Sequence, residues 1–215
     1  TVVDEDGVPV AVQLTIQDVV TLQTLQSSSA QAVSADGTII AGYGSTKIAN
    51  RAFVTTFLGM DESMGEAILE SYILPMLGGG KFAEAYAMTV TEDGVIYIAG
   101  RSDSPKGPVA CIWFRDETQT DSPWVIKELG ALSKKNKDAV ANSIAYRPGS
   151  AVGDLIVVGR SQTNLYPSEA FVWTGNPTLE LADDGTELVG YFYDLEYILI
   201  KTGAGEASLM GSSWI

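Results

Sequence analysis

Apolar residues in this chain fall in short runs separated by turn residues such as glycine, aspartate, asparagine and serine. No long stretch carries a 3.6-residue period. Three of these runs end the same way: Thr38-Ile39-Ile40-Ala41-Gly42, Val95-Ile96-Tyr97-Ile98-Ala99-Gly100 and Leu155-Ile156-Val157-Val158-Gly159. The pattern predicts β-strands at 38–41, 95–99 and 154–158, each running into a glycine. Asp36-Gly37 and Asp93-Gly94 stand just before the first two and read as hairpin turns, because glycine there supplies the positive φ that a tight turn needs. A longer turn, Arg147-Pro148-Gly149-Ser150, replaces them before the third.

The neighbouring segments repeat as well. Upstream lie β-rich stretches at 30–34, 85–91 and 140–146, and before them shorter ones at 22–25, 74–77 and 127–132. Downstream, after a polar loop, come 51–55, 109–114 and 168–174. Each unit therefore reads as four short strands, with units at 21–72, 73–122 and 123–178. The one interruption is 61–74, where Glu66-Ala67-Ile68-Leu69-Glu70 favours a short helix in a decorated loop.

Four-stranded units in tandem predict an all-β fold, a β-propeller of about four blades. Residues 179–215 and 1–20 together make about one further unit. Asp184-Gly185-Thr186 and Gly190-Tyr191 in the first of these echo Asp36-Gly37-Thr38 and Gly42-Tyr43. The expectation is a single domain whose last blade joins strands from both ends, which removes exposed sheet edges. The rival arrangement pairs residues 1–20 or 205–215 with a neighbouring molecule and builds a polymer.

The motif pieces resemble the HAF-repeat extracellular proteins. That repeat joins a Leu-Gly-x-Leu-Gly-Gly segment, an Asn/Asp-Gly-x-Val-Val-Gly segment and an Ala-Phe-x-Trp strand. The matching pieces are Leu74-Pro75-Met76-Leu77-Gly78-Gly79, Leu129-Gly130-Ala131-Leu132, the run from Asp36 to Gly42, and Ala170-Phe171-Val172-Trp173. The resemblance spans roughly 21–174. Ala52-Phe53-Val54-Thr55 lacks the tryptophan, and Ala110-Cys111-Ile112-Trp113 lacks the phenylalanine. The resemblance implies export and a propeller-like architecture, and it implies no catalytic residues.

Charge and composition narrow the function. The 215 residues carry a net charge of −14 and no histidine. An acidic surface repels phosphate backbones, so nucleic acid is not an expected partner. No apolar run is long enough for a membrane-spanning helix. The chain begins at Thr1 without a basic, apolar leader, which is read as a mature exported chain at the cell surface or outside the cell. Ser-His-Asp and Cys-His machinery needs a histidine, and the lone Cys111 sits in an apolar run, where it reads as a packing residue. Gly78-Gly79-Gly80-Lys81 is a turn, not a phosphate loop.

The remaining candidates are few. Asp4, Asp6, Asp183 and Asp184 stand in acidic turns that could hold Ca²⁺ through oxygen ligands, although no twelve-residue EF-hand pattern is complete. No other cofactor is expected. Trp113 and Trp173 occupy equivalent repeat positions and read as core. Trp124, Trp214 and Ile215 lie outside the repeat and are interface candidates, as are Lys134 and Lys135 in the one basic loop. The expected function is a non-enzymatic structural or binding module whose partners are protein subunits, including copies of itself, or glycans. The alternative is a carbohydrate-active enzyme using a carboxylate pair.

Overall fold

The computed structural model describes residues 17–18, 23–61, 66–78, 80–105, 107–118, 122–133, 138–147, 149, 155–176 and 191–194. These residues contain strands and no helix. A short pair, β1 (Gln17–Asp18) and β2 (Gln23–Thr24), precedes three antiparallel sheets of four strands. The first sheet holds β3 (Ser27–Val33), β4 (Ile39–Ser45), β5 (Asn50–Asp61) and β6 (Glu66–Ile73). The second holds β7 (Ala83–Val90), β8 (Val95–Ser104), β9 (Gly107–Asp116) and β10 (Val125–Gly130). The third holds β11 (Ala139–Tyr146), β12 (Leu155–Ser161), β13 (Glu169–Gly175) and β14 (Tyr191–Asp194). Within each sheet the strands follow chain order, so all three are simple meanders.

The turns explain the meanders. Gly37 and Gly94 have φ of 76° and 85° and close the hairpins β3–β4 and β7–β8. In both, the glycine N–H donates to the carbonyl three residues back, on Ser34 and on Thr91. This is a type I turn followed by a left-handed residue, which fits the right-handed twist of the flanking strands. The Asp36 carboxylate fixes the first turn by accepting hydrogen bonds from the Ser34 hydroxyl and from the Thr38 N–H and hydroxyl. Those bonds hold its pKa below the ordinary value.

The sheets stack face to face in chain order. Ile39, Ala41, Ala52 and Val54 of the first sheet pack on Ala83, Ala85, Ile96, Ile98, Cys111 and Trp113 of the second. The opposite face of the second sheet, with Tyr97, Ala99, Ala110 and Ile112, packs on Ala141, Leu155, Val157, Phe171 and Trp173 of the third. The middle sheet is thus covered on both sides. Successive residues of β8 and β9 enter different cores, which is why both strands read as unbroken apolar runs.

Each sheet also carries the same irregularity. The register of the first strand against the second slips between Ala30 and Ala32, between Ala85 and Ala87, and between Ala141 and Ser143. Gln31, Tyr86 and Asn142 are therefore bulged at equivalent places. The repeat glycines Gly42, Gly100 and Gly159 stand opposite Ala30, Ala85 and Ala141, just before the slip. A bulge bends its strand and re-aims side chains; here the bend recurs three times in register.

Four expectations from the sequence are corrected. The helix expected in 61–74 is instead the end of β5, residues outside the description, and β6, which pairs with β5 from Phe53↔Ile73 to Asp61↔Glu66. The long β5 leaves unpaired N–H and C=O groups along its free side, and an extended partner satisfies them where an isolated helix would not. Residues 127–132, expected to open the third unit, lie mostly in β10, which pairs with β9 and ends the second sheet. Likewise 74–77 is not a strand but an irregular link, with Leu74 buried in the core between the first two sheets. Residues 191–194, assigned by sequence to the last unit, pair with β13 and complete the third sheet.

Candidate functional site

The one acidic side chain buried among the described residues is Glu84, near the start of β7. It lies between Ala83 and Ala85, both in the core, so strand alternation turns it the other way. Its Oε2 pairs with Arg101 Nε at 2.7 Å and also accepts the Tyr86 hydroxyl. Its Oε1 accepts from Asn50 Nδ2 at 2.9 Å. Asn50 belongs to the first sheet and the other three residues to the second, so the cluster ties the sheets together. The Asn50 N–H adds a bond to the Lys81 carbonyl at 2.8 Å. The Tyr86 ring meets Tyr43 of β4 edge-on, with centroids 5.9 Å apart.

The electrostatics follow from this geometry. Burial by itself pushes the Glu84 pKa up. Hydrogen bonds from Tyr86, Arg101 and Asn50 outweigh it, and the carboxyl ends below its ordinary value. Burial also raises the Tyr86 hydroxyl, and the bond to Glu84 raises it further. Burial opposes the Arg101 charge, but the bond to Glu84 prevails and its pKa is raised. Glu84 is therefore an ionised acceptor with donors on both oxygens, and it is not poised to exchange a proton with a substrate. The cluster clamps two sheets.

Beside the clamp is a shallow hollow of about 300 Å³ lined by Ser27, Ser28, Ser29, Tyr43, Gly44, Ser45 and Asn50. The link between the first and second sheets is fixed nearby. Asp103 Oδ2 accepts the N–H groups of Lys81 at 2.8 Å and Phe82 at 3.2 Å. The Ser102 hydroxyl accepts from the Leu77 N–H at 3.2 Å, and Ser161, at the matching place in the third sheet, accepts from Leu132 at 3.0 Å. The second leucine of each Leu-x-x-Leu copy, Leu77 and Leu132, is thus pinned by an equivalent serine.

Of the residues singled out from sequence, Trp124 is partly buried against the core between the first and second sheets, and its Nε1 is buried without a hydrogen-bond acceptor. Trp113 and Trp173 are buried to 0% and 1% exposure, one in each core, and Trp113 Nε1 donates to the Pro75 carbonyl at 2.7 Å. Cys111 is fully buried, and burial first, with Glu128 adding to it, drives its thiol pKa well up. Asp4, Asp6, Asp183, Asp184, Lys134, Lys135, Trp214 and Ile215 lie outside the described residues. Among the described residues no three His, Cys, Asp or Glu side chains converge as a metal site would need. Nor does any helix there have the length and apolarity to cross a membrane.

Sequence reasoning missed Asn50, Glu84, Tyr86 and Arg101. A signal existed. Glu84↔Arg101 occupies the cross-strand position that Ser29↔Tyr43 and Val140↔Arg160 fill in the other sheets. A charge pair at one copy of an otherwise uncharged or unmatched repeat position marks a place-specific role. Compared with protein-family models, with curated proteins and with solved structures, the chain matches none.

Proposed function

We propose that this chain is a propeller-type extracellular repeat protein, akin to the HAF-repeat group, which works without catalysis as a structural and binding module and joins copies of itself at the cell surface. The observation that carries the reading is the stacking of three four-stranded meanders in chain order, each bulged at the same point of its first strand. Meanders stacked in this way are what blades of a propeller require. The Glu84 clamp supports a non-enzymatic role, since its carboxylate is committed to holding two sheets together. In this reading the first and third sheets are the ends of the stack, and a further unit or a neighbouring molecule covers them.

Solution scattering with negative-stain imaging, with and without Ca²⁺, tests the proposal. A closed single-domain particle of this length has a radius of gyration of about 17 Å. Assembly gives a larger, concentration-dependent value and visible polymers. A particle that stays near the monomer value under every condition removes self-assembly. Hydrolysis of a polysaccharide, lost on replacing a pair of carboxylates, would replace the module with the enzyme reading.

A further inference from the structure

At the opposite end of the sheets from the clamp, the second and third sheets part around a cleft of about 370 Å³. That volume falls in the range of small-molecule sites. Its floor is aromatic: Tyr97 of β8 and Phe114 of β9 lie 6.1 Å apart, tilted by 36°. Tyr146, at the end of β11, stands on the facing sheet. The rim is polar, with Asp93 on the exposed β7–β8 turn, Asp116 closing β9 and Asn176 just beyond β13. The Asp116 carboxylate is oriented by bonds from the Thr118 N–H at 2.9 Å and hydroxyl at 2.6 Å.

The chemistry of this lining selects among ligands. A divalent cation needs several converging carboxylates, and no such group occurs among the described residues. An anion would meet Asp93 and Asp116. Among the described residues the one cationic side chain of the lining, Arg115, is directed to other groups: its guanidinium lies 4.9 Å from the centre of the Tyr72 ring, and its Nε lies 3.1 Å from Glu117 Oε1. A purely apolar ligand would strip water from the carboxylates. What fits is a molecule with one apolar face and a rim of hydroxyl donors. We propose that this cleft binds a neutral sugar ring, with its C–H face toward Phe114 and Tyr146 and its hydroxyls donating to Asp93 and Asp116.

The proposal rests on the binding-module reading but not on self-assembly. Its test is a titration of the full chain, followed by NMR and calorimetry, with neutral cello-, xylo-, manno- and chito-oligosaccharides and with an oligouronate as the anionic control. The expected result is saturable binding of at least one neutral series, with amide shifts confined to 91–97, 114–118 and 146. Asp93→Asn, which keeps the turn, and Tyr146→Leu, which keeps apolar bulk, should each weaken binding about tenfold or more. Leu165→Ser, at an 83% exposed site outside the cleft lining, should leave it unchanged. Near-UV circular dichroism separates lost binding from lost fold, and a misfolded variant is replaced by Asp116→Asn. No binding by any neutral series, shifts elsewhere, or equal affinity in folded cleft variants would overturn the proposal. Polymers without sugar binding would sink this inference alone, and sugar binding by a strict monomer would sink the assembly alone.

Discussion

The carbonyl oxygen of Glu84 lies 2.0 Å from the point a Cβ on Gly100 would occupy, and Trp113 Cζ3 lies 2.9 Å from the same point. A Cβ on Gly42 would likewise lie 2.1 Å from the Ser29 carbonyl oxygen, and one on Gly159 would lie 1.9 Å from that of Val140. The repeat glycine is thus a matter of space. The bulge drives the backbone of the first strand onto the second, and only a residue without a side chain fits beneath it.

Gly100→Ala should therefore destabilise the fold by roughly 3 kcal/mol or more, because backbone and a core tryptophan must both move. Gly37→Ala meets nothing within 4 Å and carries only the cost of φ at +76°, about 1–2 kcal/mol. Chemical denaturation of both variants checks the order. Equal losses would contradict the close-approach account.

The Glu84 clamp makes stability depend on pH. The folded-state pKa lies below the ordinary 4.5, so the carboxylate binds fewer protons folded than unfolded. Its contribution is fully present above about pH 4.5 and is lost as pH falls through the folded value. Glu84→Gln should lower stability at neutral pH by roughly 2 kcal/mol and flatten the acid limb of the stability curve below pH 4.5. Urea titrations at a series of pH values measure both. A variant that keeps the parental acid limb would assign the pH dependence to other carboxylates.

Trp113→Phe should cost about 2 kcal/mol, from the lost bond to the Pro75 carbonyl and the space left in a fully buried site. Because Pro75 lies in the link between the first two sheets, hydrogen exchange should quicken in 74–78 before it does so in β12 and β13. Uniform acceleration would mean that Trp113 acts on the whole core and not on the link.

Cys111 is completely buried with its thiol pKa raised. In native buffer it should react with an aromatic disulfide reagent only as fast as the protein opens, and addition of denaturant should release one thiol per chain. Prompt labelling without denaturant would show that β9 is accessible and the middle sheet less covered than described.

Much of this architecture was legible along the chain. Asp36-Gly37 and Asp93-Gly94 marked the hairpins, and the runs ending at Gly42, Gly100 and Gly159 marked the second strand of each sheet. Turn residues and alternation act within a few neighbours, so a sequence displays them. The strand at Glu66–Ile73 was hidden, because Glu-Ala-Ile-Leu-Glu suits a helix locally and turns extended only beside the open edge of β5. The phase of the repeat was hidden for a related reason. Residues 125–130 carry β-pattern in any frame, and only pairing with β9 assigns them to the preceding sheet.

The sequence by itself determined the all-β class, the turns and the threefold spacing, since each follows from backbone preferences and apolar period. Tertiary structure alone decided the rest. It set Glu84, Arg101, Tyr86 and Asn50 together across as many as 34 residues, between Asn50 and Glu84, and it opened the cleft between the second and third sheets. Charge pairing and cavities depend on distances in space between segments remote in the chain, and no local pattern of side chains encodes those distances.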